Sequence, residues 1–304
     1  QSRGVYLDSG FVLVMVDGIR VNEVSFGKAG VYTPYIDLGT AERVEVIRGP
    51  GSAVYGSNAV LGVITVVTKK SNQLPFEAGE YHHGRFLAGF TGKVAAGDLA
   101  VNLALAEGRG HKYKLENANG RGEAKTSSPY AHQQLSASWH KDGLTFKYST
   151  DRHYLDDFVN LEGYHPWNYF ESQNQYAHLG YETAVGATSR LVSRLEYADH
   201  QVDSAGYILG GDIPPQSQDF INGPYWSTDR LTLNVALEQN WRDGLESEIG
   251  LQWQTEEHYN AGVVTSHLTP DRASSIPVDS FYLGELQRIE DFGDFKALEE
   301  KLES

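Results

Sequence analysis

The chain has no cysteine, one methionine and no excess of basic residues. Without thiols there is no disulfide framework and no thiolate metal site, so neither an oxidising nor a reducing compartment is written in this sequence. Lys and Arg number 25 against 40 Asp and Glu, a formal net charge of -15. That disfavours a nucleic-acid partner, which calls for clustered cations on one face. Long apolar runs are missing too. The strongly apolar stretches are short, such as FVLVMV at 11–16, far below the roughly 18 to 20 residues of a membrane-crossing helix. A crossing made by strands stays open, because barrel strands alternate apolar and polar residues and keep the overall hydropathy low; the mean hydropathy is -0.42. The first ten residues, QSRGVYLDSG, hold no charged, apolar and cleavage-site series. That is expected of a chain that is not exported or of one whose start has been lost.

Glycine (32), tyrosine (18) and phenylalanine (12) are abundant in the 304 residues, a length that suits one large domain or two ordinary ones. Two regions are legible. Up to about residue 70, FVLVMV reads as a buried strand, Asp17-Gly18 as a tight turn and IRV as a short return strand. After an irregular stretch from Asn22 to Thr40, two apolar runs, Arg43 to Ile47 and Gly62 to Thr68, flank a glycine-rich turn.

Beyond that the pattern is strict alternation. In RLTLNVALEQNW, Leu231, Leu233, Val235, Leu237 and Trp241 share one face, while Thr232, Asn234, Glu238 and Asn240 share the other. DLAVNLALAE, GLTFKYS, SRLVSRLEY and EIGLQWQ read the same way. Long connections (to about 130, to about 174, 200–228, 257–279) take turns with short ones at KDG, VGAT, RDGL and EDFGD, the asymmetry of outer-membrane barrels. With a first strand near 74–81 and a second near 84–93, about eleven strands are expected, and every long loop faces outward.

The turn RGPGSAVYG admits three chemical readings, and each fails on a required residue. A dinucleotide fingerprint has Val54 at its third glycine, and Lys69 and Lys70 where an acid is needed. No G-K-[ST] follows for a Walker loop. Ser52 directly follows Gly51 and lacks the G-x-S-x-G frame of a nucleophile elbow.

What the stretch resembles is the plug domain of TonB-dependent outer-membrane receptors: VLVMVDGIRVN at 12–22, then ERVEVIRGPGSAVYGSNAVLGVITVVTKK at 42–70, departing mainly at Leu61, where the family often has a second glycine. The resemblance implies a mainly β fold. A small mixed α/β plug would end near residue 72, and 73–304 would form the N-terminal half of an antiparallel transmembrane β-barrel, about half of a 22-stranded one. It further implies that a signal peptide, a TonB-binding segment and the first part of the plug precede Gln1. The function it implies is active uptake of a scarce ligand across the outer membrane, with no chemistry on the cargo and no cofactor. Implied partners are TonB with ExbB and ExbD in the periplasm, a small ligand outside, and outer-membrane lipid and lipopolysaccharide.

On this reading a ferric siderophore is the expected cargo, with cobalamin, haem or a glycan as alternatives and a secreted β-rich binding protein as the rival outside the family. Asp17, Gly18, Glu45, Arg48, Gly49, Pro50, Gly51, Ser52, Tyr55 and Gly56 would form the structural and gating motif. Gly49, Gly51 and Gly56 allow positive φ, and Pro50 stiffens the bend. Glu45 and Arg48 would pair with wall charges among Arg190, Arg194, Glu196 and Glu238. Ligand contact is expected at Asn22, Tyr32 and Tyr35 on the plug apex and at Tyr164, Trp167 and Tyr169 in an aromatic-rich loop, where an interfacial aromatic girdle is the competing account. Lys112, Lys114, Arg121 and Lys125 give the first long loop a basic cast. The eleven histidines show no metal spacing, and the adjacent His82 and His83 would point to opposite faces of a strand.

Overall fold

In the computed structural model the described residues are 10–23, 25, 27, 36–51, 55–116, 123–160, 163–210, 218–242, 245–268 and 281–289. Strand β1 (Val12–Val16) is almost wholly buried, as a continuous apolar run requires. Asp17 and Gly18, with φ of 49° and 83°, turn it into β2 (Ile19–Arg20), where Val16 pairs with Ile19. This is the two-residue hairpin that an Asp-Gly pair favours. Strand β3 (Ala41–Arg48) pairs antiparallel with β4 (Gly62–Thr68), and β4 lies parallel to β1, giving a four-stranded sheet of order β2-β1-β4-β3. Gly62 is required by close approach, since a Cβ there would come within 2.5 Å of the Ile47 carbonyl oxygen. The glycine is thus present where the backbone needs it. Helical content among the described plug residues is slight: a 3-10 turn at Leu38–Thr40 capped by Asp37, and a turn in which the Tyr55 N–H donates to the Gly51 oxygen at 2.9 Å.

The second sheet is an antiparallel meander of ten strands: β5 (Phe76–Ala78), β6 (Gly84–Val94), β7 (Gly97–Gly108), β10 (Tyr130–Lys141), β11 (Leu144–Asp156), β12 (Tyr169–Val185), β13 (Ser189–Leu209), β14 (Phe220–Arg242), β15 (Leu245–Leu268) and β16 (Phe281–Ile289). Strands β8 (Tyr113–Leu115) and β9 (Ala124–Thr126) form a separate hairpin inside the first long connection. About eleven barrel strands are expected; the last short turn, at 290–294, and the residues after it lie outside the described residues. The short turns are tight. Ala95 and Ala96 take φ of 52° and 63°, and Asp142-Gly143 takes 49° and 80°. At Gly143 a Cβ would also stand 2.1 Å from the Glu182 carbonyl oxygen.

Two segments expected as long loops are largely strand. β13 runs to Leu209, β14 begins at Phe220 and β15 continues to Leu268, so 200–228 and the start of 257–279 extend the wall. These strands have 21, 23 and 24 residues, where a tilted crossing takes about 9 to 11. Past the bilayer a hairpin no longer needs an apolar outer face, so alternation fades while pairing continues.

No helix among the described residues is long and apolar enough to cross a membrane. The apolar face of the sheet points outward, with Ile249, Leu251 and Trp253 exposed at 75%, 83% and 56%. Such a face is stable against lipid rather than water. The plug packs on the opposite side of the sheet. Val14, Val16, Ile19, Val21 and Val66 form one core with Tyr176 and Ala198 of the wall.

Candidate functional site

The Asp17-Gly18 turn is a junction between plug strands and wall. The Asp17 N–H donates to the Val66 oxygen at 2.9 Å, and its carboxylate accepts from Thr68 N at 2.9 Å and Thr68 Oγ1 at 2.6 Å. Lys147 of β11 donates from Nζ to the Asp17 carbonyl oxygen. Because Thr68 is buried, Asp17→Ala leaves two donors unsatisfied and is expected to cost about 2 kcal/mol, measured by urea unfolding; a loss under about 0.5 kcal/mol would show that water replaces the carboxylate.

The glycine turn is built as a backbone device. Gly49 has φ of 114° with open space around it, so conformation alone calls for glycine there. Its N–H donates to the Leu61 oxygen at 3.0 Å, and that of Gly51 to the Ala59 oxygen at 2.8 Å. Gly56 has φ of 76°, and Pro50 lies between the two bonded glycines. Arg20 clamps the far end, donating to Ser57 Oγ at 3.0 Å, Ser57 O at 3.1 Å and Tyr55 O at 3.2 Å. Burial, and Arg230 nearby, hold the Arg20 guanidinium below its ordinary pKa. Ser52 lies outside the described residues.

Glu45 and Arg48 do not reach the wall charges expected to pair with them. Glu45 accepts from Arg43 Nε at 2.6 Å on the exposed strand β3, and Arg48 makes no ion pair among the described residues. The wall groups are engaged elsewhere: Arg190 with Glu182 and Glu238, and Glu196 with His178. The reason is topological. β3 is the edge strand of the plug sheet, and its residues from Glu42 to Arg48 are all exposed, so neither of its faces packs on β12 to β14.

Plug-to-wall contact instead runs through residues that sequence reasoning missed. Asp37 receives Arg85 of β6, with Arg85 Nε donating to Oδ2 at 3.0 Å and Nη2 to Oδ1, while the Asp37 N–H donates to Gln134 Oε1 at 2.9 Å. Burial pushes the Asp37 carboxyl up, but the bonds from Arg85 and the Gly39 N–H outweigh it and hold it below the usual carboxylate range. At the apex, Glu23 Oε1 accepts from the Ser25 N–H at 2.9 Å and from Trp226 Nε1 at 3.2 Å. Ser25 Oγ lies 2.8 Å from both Thr228 Oγ1 and His258 Nδ1. Arg85 and Asp37 are 48 residues apart and Ser25 and His258 are 233 apart, so no local motif could announce them.

The expected ligand contacts are mostly spent on structure. Asn22 is 1% exposed; its Oδ1 accepts from Val14 N at 2.7 Å, and its Nδ2 donates to Val12 O at 2.9 Å and Gly27 O at 3.0 Å. Its amide therefore holds the plug apex rather than facing a ligand. Tyr32 and Tyr35 lie outside the described residues. The Tyr164 hydroxyl bonds Asp157 and the Lys125 carbonyl, Tyr169 donates to Asp203 Oδ1 at 2.6 Å, and Trp167 packs against the cluster of Ala205, Tyr207, Ile221, Tyr225 and Val264. Lys114 pairs with Glu123 at 2.9 Å, and Arg121 is outside the described residues. His82 sits in a turn with φ of 58° rather than in a strand, and His83 Nδ1 bonds the Tyr130 hydroxyl at 2.6 Å. Among the described residues no group of three or more His, Asp or Glu is placed to hold a metal ion.

Residues 1–63 match the family model described as TonB-dependent Receptor Plug Domain. Over 251 residues the chain is 48% identical to the vitamin B12 transporter BtuB of Vibrio vulnificus, covering 77% of this chain and 39% of that one. Over 303 residues it is 25% identical to the vitamin B12 transporter BtuB of Photobacterium profundum, covering 96% and 46%. In fold it is similar to the pyoverdine outer membrane receptor FpvA from Pseudomonas aeruginosa PAO1, with a TM-score of 0.62 at 13% identity over 89% of this chain and 42% of that one. The chain spans less than half the length of each of these relatives.

Proposed function

Since the chain belongs to the TonB-dependent outer-membrane receptors and carries plug and barrel wall, we propose that it serves active uptake of cobalamin across the outer membrane. The observation that carries this reading is the 48% identity to a vitamin B12 transporter over 251 residues, a stretch too long to be plug motif alone. It moves the expectation away from a ferric siderophore, because likeness to siderophore receptors at 13% identity speaks for the fold and not for the cargo. The cargo is moved unchanged. Energy reaches the plug from TonB, with ExbB and ExbD behind it, and the wall sits among outer-membrane lipid and lipopolysaccharide.

The geometry suits such a cycle. Polar plug contacts at Asp17, Ser25 and Asp37 seat the plug on the wall through replaceable hydrogen bonds, which water can take over when the plug is pulled. The test is growth of a cobalamin-dependent strain that lacks its own corrinoid receptor, supplied with the full-length gene. Rescue at limiting cobalamin, abolished when TonB is deleted, is the expected result. Rescue of iron-limited growth by a ferric siderophore, with none by cobalamin, would overturn the cargo while leaving the family reading intact.

A further inference from the structure

Between the β1–β2 hairpin, the Tyr55–Ser57 turn and wall strands β13 to β15 lies a cavity of about 730 Å³. Three guanidinium groups line it, Arg20 from the plug, Arg194 from β13 and Arg230 from β14, beside two carboxylates, Glu196 and Glu248. Their situations differ. Arg20 is spent on Tyr55 and Ser57. Arg230 is only 8% exposed, yet its guanidinium makes one long hydrogen bond, 3.5 Å to the Arg20 carbonyl oxygen, and no ion pair among the described residues. Arg194 makes neither among the described residues. The nearby carboxylates have other partners. Glu196 Oε1 is 3.1 Å from His178 Nδ1, and Glu256 Oε1 accepts from Gln254 Nε2 at 2.6 Å.

A buried guanidinium with no direct ion pair is costly even where Glu256, Glu196 and Glu23 offset part of its charge from farther away, and its fixed fork of donors matches the oxygens of a phosphate or carboxylate. We propose that this cavity is a binding station for an oxyanion, a phosphate or carboxylate group, gripped by Arg194 and Arg230 with Thr232 and Gln252 beside them. The station lies toward the short-turn end of the wall. Residues 192–196, 232–236 and 248–252 stand near the strand ends at Val185, Ser189, Arg242 and Leu245, whereas the apex contacts at Trp226, Thr228 and His258 lie farther toward the long loops. An anion held there has already passed the apex, so the station is on the exit side of the plug. It stands apart from the cargo assignment, because binding to purified receptor needs no transport.

The test is isothermal titration of the purified full-length receptor with inorganic phosphate at constant ionic strength. Saturable binding is expected, weakened about tenfold or more by Arg194→Gln and by Arg230→Gln, as loss of one charge-assisted bond implies. Arg194 is exposed, so its variant folds even where Arg230→Gln does not; an unchanged heat-modifiable gel mobility confirms the barrel. Heat that rises linearly with phosphate, or binding equal in wild type and Arg194→Gln, would overturn the station. The source of the oxyanion is read from uptake: phosphate that slows wild-type uptake but not that of Arg194→Gln means the cargo carries the group, and binding without slowing means a free anion.

Discussion

Tyr176→Ala is expected to weaken docking of the plug on the wall by about 3 to 5 kcal/mol, the usual cost of deleting a fully buried aromatic side chain. Tyr176 is 1% exposed and is the large wall residue in the core formed with Val14, Val16, Ile19, Val21 and Val66. Its ring also stands edge-on to His200 at 5.3 Å. The cavity left behind cannot collapse easily, because one side is a paired strand and the other a sheet. Tyr176→Phe is the control. It removes only the 3.4 Å bond from the hydroxyl to the Val21 oxygen and should cost under about 1 kcal/mol. Limited proteolysis of the plug against urea concentration measures both; an alanine variant as resistant as the phenylalanine one would show that this core does not seat the plug.

The second large effect is expected from Asp37→Ala. The carboxylate is 5% exposed and takes two hydrogen bonds from Arg85 and one from the Gly39 N–H. Removing one partner of a buried pair strands the other charge, at a cost of about 3 kcal/mol. The figure lies at the low end of its range because Arg85 keeps Glu77, whose two carboxylate oxygens are each 3.2 Å from Nη1. The same pair sets an acid limit. Asp37 is held below its ordinary pKa when the plug is seated, so its contribution is fully present above the ordinary carboxylate value of about 4 and is lost as pH falls through the lowered one. Protease resistance of the wild-type plug should therefore drop in that acid window. Asp37→Asn should flatten the drop, and a drop of the same size in that variant would assign the acid limit to other carboxylates.

Much of the architecture was legible because its physics is local. The Asp17-Gly18 hairpin, the runs at β3 and β4 and the alternation of β14 follow from turn chemistry and a period of two. The outward apolar face was readable from Leu233, Val235 and Leu237 for the same reason. What escaped is what distance in sequence hides. That Arg85 answers Asp37, or that Ser25 meets His258, depends on which strand lies opposite which part of the plug. Glu45 and Arg48 misled in the opposite direction, since wall partners for them were implied by the resemblance, while the exposure of β3 on both faces was not readable. Asn22, expected as a ligand contact on the plug apex, mimics a strand partner, bonding Val14 N and Val12 O as backbone would. The strand extensions past the bilayer were missed because alternation is a signature of lipid, not of pairing.

The parallel pairing of β1 with β4 carries a kinetic consequence. Val12 meets Gly62 and Val16 meets Val66, so the plug sheet closes only after a long intervening stretch has been placed, whereas the wall hairpins β6–β7, β10–β11 and β12–β13 close across short turns. Seating the apex asks more, since Ser25 finds His258 across 233 residues. Contacts of long sequence separation form slowly because their closure entropy is spent before they return anything. The meander from β10 to β15 is thus expected to zip strand by strand, with the apex joining last. On the proposed uptake cycle, the contacts made last in folding are then expected to be the first to open.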